Sequence, residues 1–425
     1  MEIKELYTLY KNCYKVTTDT RSNLENSIFF ALKGDNFNGN TYADEALKKG
    51  ALYAVVDEKV NQTNDKIILV DDVLQTMQNL AKYHRIQLNI PVIALTGSNG
   101  KTTTKELVHT VLKEKYNCIA TKGNLNNHIG VPLTLLSLTP SAEYAVIEMG
   151  ANHPKEIAKL CEIALPDFGY ITNFGKVHLE GFGSLKGVIK AKTELYDFLK
   201  NNNKYVFVNT DDDIQMNKSK EMNTITFGNK DSDYPVQFVN ADPFVHLKFN
   251  STFVQSKLIG KYNYLNIATA IAIGKYFKVP DEQIKIGIEN YTPSNNRSQI
   301  IIKDTNKIIL DAYNANPNSM EVALENLSQL TDKHKIAILG DMFEIGKYTL
   351  QEHQYITDLI GKLGIKNAFL IGESFAKLKT KNKNILQFKT FADFKAYFKD
   401  KSINNATVLI KASRGMALER VLDVL

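Results

Sequence analysis

Apolar positions along the chain fall into two repeating patterns, short continuous runs and helical stripes, and their alternation predicts the architecture. Val92 to Leu95, Tyr144 to Glu148, Phe168 to Thr172 and Tyr205 to Asn209 are apolar runs of strand length, each separated by a helix-length segment. Continuous rather than alternating apolar runs belong to strands covered on both faces, so they predict a largely parallel sheet. Residues 222–259 are richer in β-branched and aromatic residues and read as antiparallel additions, followed by a helix from Asn263 to Tyr276. Before this region come a turn-rich stretch (Thr17 to Asn40), a helix (Tyr42 to Lys49), strands at Ala51 to Val56 and Ile67 to Val70, and a helix from Val73 to Ile86. After a linker at 293–298, Pro-Ser-Asn-Asn-Arg-Ser, the alternation restarts with Ile308 to Asp311, Ile336 to Leu339, Ala368 to Ile371 and Val408 to Lys411. The expectation is an α/β protein of three domains, 1–87, 88–292 and 293–425. The second is a doubly wound, largely parallel sheet, and the third is a Rossmann-like α/β domain. Sheets of this kind bind ligands at the carboxyl ends of their strands, so two of them joined by a short linker face one cleft.

One of these strands runs into a phosphate cradle. Val92 to Leu95 leads into Thr-Gly-Ser-Asn-Gly-Lys-Thr-Thr-Thr, and a helical stripe through Leu107, Val111 and Leu112 follows. Gly97 and Gly100 let backbone N–H groups approach phosphate oxygens. The helix N-terminus favours negative charge, Lys101 reaches a terminal phosphate, and the Thr102 hydroxyl suits Mg²⁺. The spacing is G-x-x-G-K-T, with Leu95 where the usual longer loop has its first glycine.

Composition narrows the setting. At 425 residues, 44% hydrophobic and 23% charged, the chain reads as an ordinary globular protein of two to four domains. The first ten residues hold no apolar core of signal-peptide length, and no apolar stretch reaches membrane-span length. Three scattered cysteines, Cys13, Cys118 and Cys161, suit a reducing cytoplasm and no structural metal. The net charge of +6 is interspersed, so no nucleic-acid groove is expected, and small anionic substrates fit.

Four further segments carry chemistry. Glu148, at the end of a strand beside the loop, is placed to hold Mg²⁺ or else simply faces solvent. His178, in Thr-Asn-Phe-Gly-Lys-Val-His, leaves the next strand end toward the same cleft; on its own it is a surface histidine. Lys192, in a strongly helical stretch, is on its own a solvated charge. Asn124, Asn126 and Asn127 gather amides that suit a sugar-like substrate, or a turn.

Taken together, the chain resembles the Mur ligases, the ATP-dependent amide-forming enzymes of peptidoglycan precursor synthesis. The resemblance rests on the shortened phosphate loop and on Thr-Asp-Thr-Arg (18–21), Asn-Leu-Asn-Asn-His-Ile-Gly-Val-Pro (124–132) and Glu-Met-Gly-Ala-Asn (148–152). Asn-Arg-Ser-Gln (296–299), Asp-Ala-Tyr-Asn-Ala-Asn-Pro (311–317), Gly-Asp-Met-Phe-Glu-Ile-Gly (340–346) and Lys-Ala-Ser-Arg-Gly-Met (411–416) extend it. Tyr-Asn-Ala-Asn-Pro and Gly-Asp-Met-x-Glu-x-Gly look like the branch that adds D-alanyl-D-alanine. The Asp-Asn-Pro-Arg of the ligases that add the third amino acid is absent. Those ligases and folylpolyglutamate synthetase are the alternatives within the class. A phosphate-loop kinase, or a binding protein that has lost catalysis, lies outside it.

The resemblance implies ATP and two Mg²⁺ ions as cofactors, with UDP-N-acetylmuramoyl-tripeptide and D-alanyl-D-alanine as substrates. ATP would contact Gly97, Ser98, Asn99, Gly100, Lys101, Thr102, Thr103, Asn263, Asn266, Arg297 and Asp311. Thr102 and Glu148 would hold one Mg²⁺, and His178 with a carbamylated Lys192 the other. Lys101 and Arg297 would meet the γ-phosphate, the latter by its planar fork. Thr20, Arg21, Asn126 and Asn127 would bind the UDP substrate, and Asp341, Met342 and Glu344 the dipeptide. The implied setting is a cytoplasmic monomer without membrane insertion. One position departs from the family pattern Gly-x-His-Asn-x-x-Asn: Tyr262 stands in place of the histidine.

Overall fold

The computed structural model describes residues 1–59, 64–229 and 231–425. Three parallel-stranded units follow one another along the chain. The first is a four-stranded parallel sheet in the order Val16–Thr17, Ile28–Phe30, Tyr53–Val56, Ile67–Leu69. The helix Val73–Leu88 follows it, opened by Asp72, whose side chain accepts from the Gln75 N–H at 2.8 Å. Ile28–Phe30 falls inside the stretch expected to be turns. Its three residues are buried on both faces, a setting that leaves no polar alternation to mark a strand.

The second unit is a seven-stranded sheet. From one edge the order is Tyr234–Pro235, Asn223–Gly228, Tyr205–Asn209, Phe168–Ile171, Val92–Thr96, Tyr144–Glu148 and Cys118–Ala120, every neighbour parallel. The expectation for 222–259 holds only in part. Asn223–Gly228 extends the parallel sheet, because the helix Asp213–Lys218 precedes it and supplies the crossover that parallel pairing needs, and the two-residue strand Tyr234–Pro235 pairs parallel beyond it at the edge. Only Gln237–Ala241, Phe244–Phe249 and Thr252–Ile259 form a separate antiparallel sheet.

The third unit is a six-stranded sheet ordered Gln299–Lys303, Asn306–Asp311, Thr407–Lys411, Lys335–Gly340, Asn367–Ile371, Ile385–Phe388. It is parallel except for Gln299–Lys303, which turns back on Asn306–Asp311 as a hairpin just after the linker.

The apolar core of the second unit covers both faces of its sheet. Ile93 and Leu95 pack on Leu107, Val111 and Ile271, while Val92 and Ala94 face the side occupied by Leu135, Leu160 and Leu195. The first unit is tied to that second side by Tyr10, whose hydroxyl donates to the Leu136 carbonyl at 2.9 Å, and by His84, whose Nε2 lies 2.9 Å from the Leu138 carbonyl. No helix among the described residues is long and apolar enough to cross a membrane.

Candidate active site

The strand Val92–Thr96 ends in the phosphate loop, and its glycines are required by close approach. Gly97 has φ +140°, and a Cβ there would lie 2.0 Å from Thr172 Oγ1; at Gly100, φ +79°, it would lie 2.6 Å from Asn266 Oδ1. The loop is fastened to the segment leaving the adjacent strand. The Ser98 N–H donates to the Asn173 carbonyl at 3.0 Å, the Asn99 N–H to Asn173 Oδ1 at 3.0 Å, and Thr172 Oγ1 to the Asn99 carbonyl at 2.6 Å. Lys101 curls back so that Nζ donates to the Gly97 carbonyl at 2.8 Å, and burial lowers its pKa, with Arg297 acting in the same direction against the pull of Glu148. Behind the loop, Thr104 Oγ1 donates to Asn266 Oδ1 at 3.0 Å and Asn266 Nδ2 to Asn263 Oδ1 at 2.8 Å, which locks the helix Asn263–Tyr276 to the helix Lys101–Lys113.

Glu148 is buried beside this loop. Its N–H donates to Thr121 Oγ1 at 2.9 Å, and its Oε1 accepts from Asn126 Nδ2 at 2.7 Å, whereas its Oε2 has no hydrogen-bond partner. A buried carboxylate oxygen left without a donor is costly, and a cation is what compensates it. Thr102 lines the same cleft at the helix start. Glu148 and Thr102 therefore suit a divalent cation, although no group of three or more His, Cys, Asp or Glu with metal-binding geometry occurs among the described residues.

The opposite wall comes from the third unit. The Arg297 guanidinium lies 3.5 Å above the Tyr313 ring. Asp311 accepts from the Ser298 N–H at 3.0 Å and from Lys411 Nζ at 2.5 Å. Among the contacts that close this wall onto the second unit are Asn316 Nδ2 to Asn99 Oδ1 at 2.7 Å and Lys176 Nζ to Glu352 at 2.8 Å. A third brings His178 Nδ1 to 2.5 Å from Glu344 Oε2, off the line that a ring N–H would take. The enclosed cleft measures about 1250 Å³, and the helix Val73–Leu88 contributes Gln75, Gln78 and Lys82 to its far end.

Comparison with known proteins now bears on this geometry. Residues 95–274 match the Mur ligase middle domain, and residues 296–414 match the Mur ligase, glutamate ligase domain. The UDP-N-acetylmuramoyl-tripeptide–D-alanyl-D-alanine ligase of Bacillus subtilis is 34% identical over 421 residues, with 96% of this chain and 92% of the relative covered. The chain belongs to the Mur ligase family. The ligase of the same name from Escherichia coli is 33% identical, with 96% and 93% covered. Among solved structures, MurF from Acinetobacter baumannii superimposes with a TM-score of 0.87 at 28% identity, covering 99% of this chain and 97% of that one. MurF from Thermotoga maritima, solved in complex with ADP, does so with a TM-score of 0.84 at 28% identity, covering 98% and 97%. The three-domain architecture and an ATP-dependent ligase activity follow from this membership.

Against that background, the structure gathers most of the expected site residues of this Mur ligase and sets several apart. Ser98 to Thr103, Asn126, Asn127, Glu148, His178, Asn263, Asn266, Arg297, Asp311 and Glu344 all line one cleft, and Gly97 lies directly beneath it. Lys192 lies behind Ala151, a cleft residue, with Nζ 3.3 Å from the Ala151 carbonyl; burial, with Lys101 nearby, pulls its pKa down to about 7. Both His178 and Lys192 lie against the Phe182 ring. Thr20 and Arg21 do not line the cleft; Arg21 is exposed and paired with Asp19 at 2.9 Å. Asp341 and Met342 are also turned away from it. Asp341 accepts from the Ser374 and Phe375 N–H groups at 2.8 and 3.0 Å, and Met342 is buried, so of that trio only Glu344 reaches the cleft. Asn173, Tyr313 and Asn316 emerge as cleft residues not singled out beforehand. All three lie inside segments already marked, but only the fold shows which side chains turn inward.

Proposed function

We propose that the protein joins D-alanyl-D-alanine to UDP-N-acetylmuramoyl-tripeptide at the expense of ATP, in the cytoplasm and as a monomer. The observation that carries this is one cleft with three linings. The phosphate loop faces Arg297 and Tyr313 across it, and a polar wall of Gln75, Gln78, Asn126 and Asn127 extends away from the nucleotide end. The division at 1–87, 88–292 and 293–425 belongs to the same proposal and agrees with each sheet lying inside one segment.

The tripeptide's terminal carboxylate attacks the γ-phosphorus of ATP, and ADP leaves. The dipeptide amine then adds to the acyl carbon and gives up a proton to solvent. The tetrahedral intermediate collapses with cleavage of the carbon–oxygen bond to phosphate, leaving an amide. Two anions must meet in the first step, so cationic groups at the meeting point lower the barrier. Lys101 leaves the Gly97 carbonyl for the γ-phosphate, and Arg297, already flattened on Tyr313, presents its fork from the other side. Asn266 and Asn263 line the adenine end, and Asp311 the ribose. Thr102 and Glu148 would hold a Mg²⁺, which offsets phosphate charge when bound. His178 and a carbamate on Lys192 would hold a second. A buried lysine amine without a carboxylate within ion-pair reach among the described residues suits conversion to an anionic oxygen ligand. Glu344 would lie at the dipeptide end, with Asp341 and Met342 supporting its loop from behind.

The test combines the protein with ATP, Mg²⁺, UDP-N-acetylmuramoyl-tripeptide and D-alanyl-D-alanine. Phosphate release should require the dipeptide. Release without it, or equal release with L-lysine or diaminopimelate in its place, would refute the assignment.

A further inference from the structure

Tyr262 stands where the family pattern has histidine, and its surroundings give the ring a task. The ring packs closely against Gly260, where a Cβ would come within 2.3 Å of Tyr262 Cε1. Its hydroxyl shares a hydrogen bond of 2.8 Å with Ser298 Oγ. Ser298 follows Arg297 directly in the linker, and its N–H donates to Asp311 Oδ1 at 3.0 Å, while Lys411 Nζ holds the other Asp311 oxygen at 2.5 Å. The linker around Arg297 is otherwise unsupported by regular structure: Asn295, Asn296 and Ser298 all adopt positive φ, 59°, 56° and 49°. Such residues persist only where neighbours over-determine them.

We propose that Tyr262 is a positioning residue for Arg297, its hydroxyl fastening the linker peptide to the helix that lines the adenine end. The proposal rests on the ligase reading above. Tyr262 belongs to the second unit and Asp311 to the third, so Ser298 is held from both sides of the hinge, and Arg297 is presented at a fixed height over Tyr313. Burial and the Asp311 carboxylate raise the phenol's pKa, so the hydroxyl keeps its proton and the link persists across the neutral range. An imidazole at this position ends short of the phenol oxygen and cannot make the link.

The test uses the full chain with Tyr262→Phe, Tyr262→His and Ser298→Ala. Losing one neutral hydrogen bond should lower kcat about 2- to 10-fold in each. KM for the UDP-tripeptide should stay at its wild-type value, and the thermal midpoint of Tyr262→Phe should fall by no more than about 1–2 °C, the shift that loss of one hydrogen bond gives a chain of this length. Because the hydroxyl and Ser298 act as one unit, Tyr262→Phe/Ser298→Ala should be no slower than the slower single variant. Amide hydrogen exchange at 295–298 should quicken about 2- to 10-fold in Tyr262→Phe, a readout independent of any reaction. Unchanged exchange, wild-type kcat in Tyr262→Phe, or losses that multiply in the double variant would overturn the role of Tyr262. A wild-type enzyme with no dipeptide-dependent turnover would instead count against the ligase reading, and exchange would still decide Tyr262.

Discussion

Replacing Gly97 with alanine probes the phosphate loop where the structure leaves least room. At φ +140° an L-residue is strained by about 1–3 kcal/mol. The added Cβ would also stand 2.0 Å from Thr172 Oγ1 and 2.9 Å from the Thr172 nitrogen, so backbone as well as side chain must yield. Moving Thr172 breaks its 2.6 Å bond to the Asn99 carbonyl, about another 0.5–1.5 kcal/mol. If the strain is relieved by displacing the loop, about 1.5–4.5 kcal/mol is withdrawn from nucleotide binding, roughly 10- to 2000-fold in kcat/KM for ATP. Gly34 is the control: its φ is not in the left-handed region and a Cβ there meets nothing within 4 Å, so Gly34→Ala should match wild type. Steady-state kinetics with ATP varied, alongside circular dichroism to confirm folding, separates the two. A Gly97→Ala enzyme within twofold of wild type would refute the claim that Thr172 and the loop are in obligatory contact.

Three other outcomes follow from the same geometry. Glu148→Gln keeps the shape and an acceptor for Asn126 but loses the anionic oxygen. The added thermal stabilisation that Mg²⁺ gives to the ADP-bound protein should therefore largely vanish; an undiminished Mg²⁺ effect would remove Glu148 from the metal site. Lys192→Ala should lose activity and regain part of it with added short carboxylic acids, which can occupy the place of a carbamate; full activity without them would exclude that role. Burial lowers the pKa of His84 below the unfolded value of about 6.5, so the unfolded chain takes up the proton first. Stability should be full above about pH 6.5 and decline as pH falls below it, and His84→Gln should flatten that decline, which His109 and His353 share; denaturation between pH 5 and 8 showing an unchanged slope would contradict this.

The parts of this molecule that were legible in its sequence are those where backbone chemistry leaves a local trace. Gly97 and Gly100 announce the loop because the backbone there needs positive φ and close contact, and the buried runs at Val92–Thr96 and Thr407–Lys411 announce parallel strands. Ile28–Phe30 stayed hidden because a three-residue strand between turn formers carries no period. Asp341 illustrates another limit: a motif carboxylate near a strand end can face a ligand or cap a helix, and the Ser374 and Phe375 N–H groups that claim it lie more than thirty residues away. The closure contacts His178–Glu344 and Asn99–Asn316 join residues far apart in the chain, and only the assembled fold brings them together.

Activation of a carboxylate by phosphoryl transfer is the central claim, and oxygen labelling tests it most directly. Tripeptide substrate carrying ¹⁸O in both oxygens of its terminal carboxylate is turned over with ATP and D-alanyl-D-alanine, and the released phosphate is analysed by mass spectrometry. An acyl phosphate requires one ¹⁸O per phosphate, the other remaining in the new amide. Phosphate released without label would contradict the mechanism, whatever the yield of product.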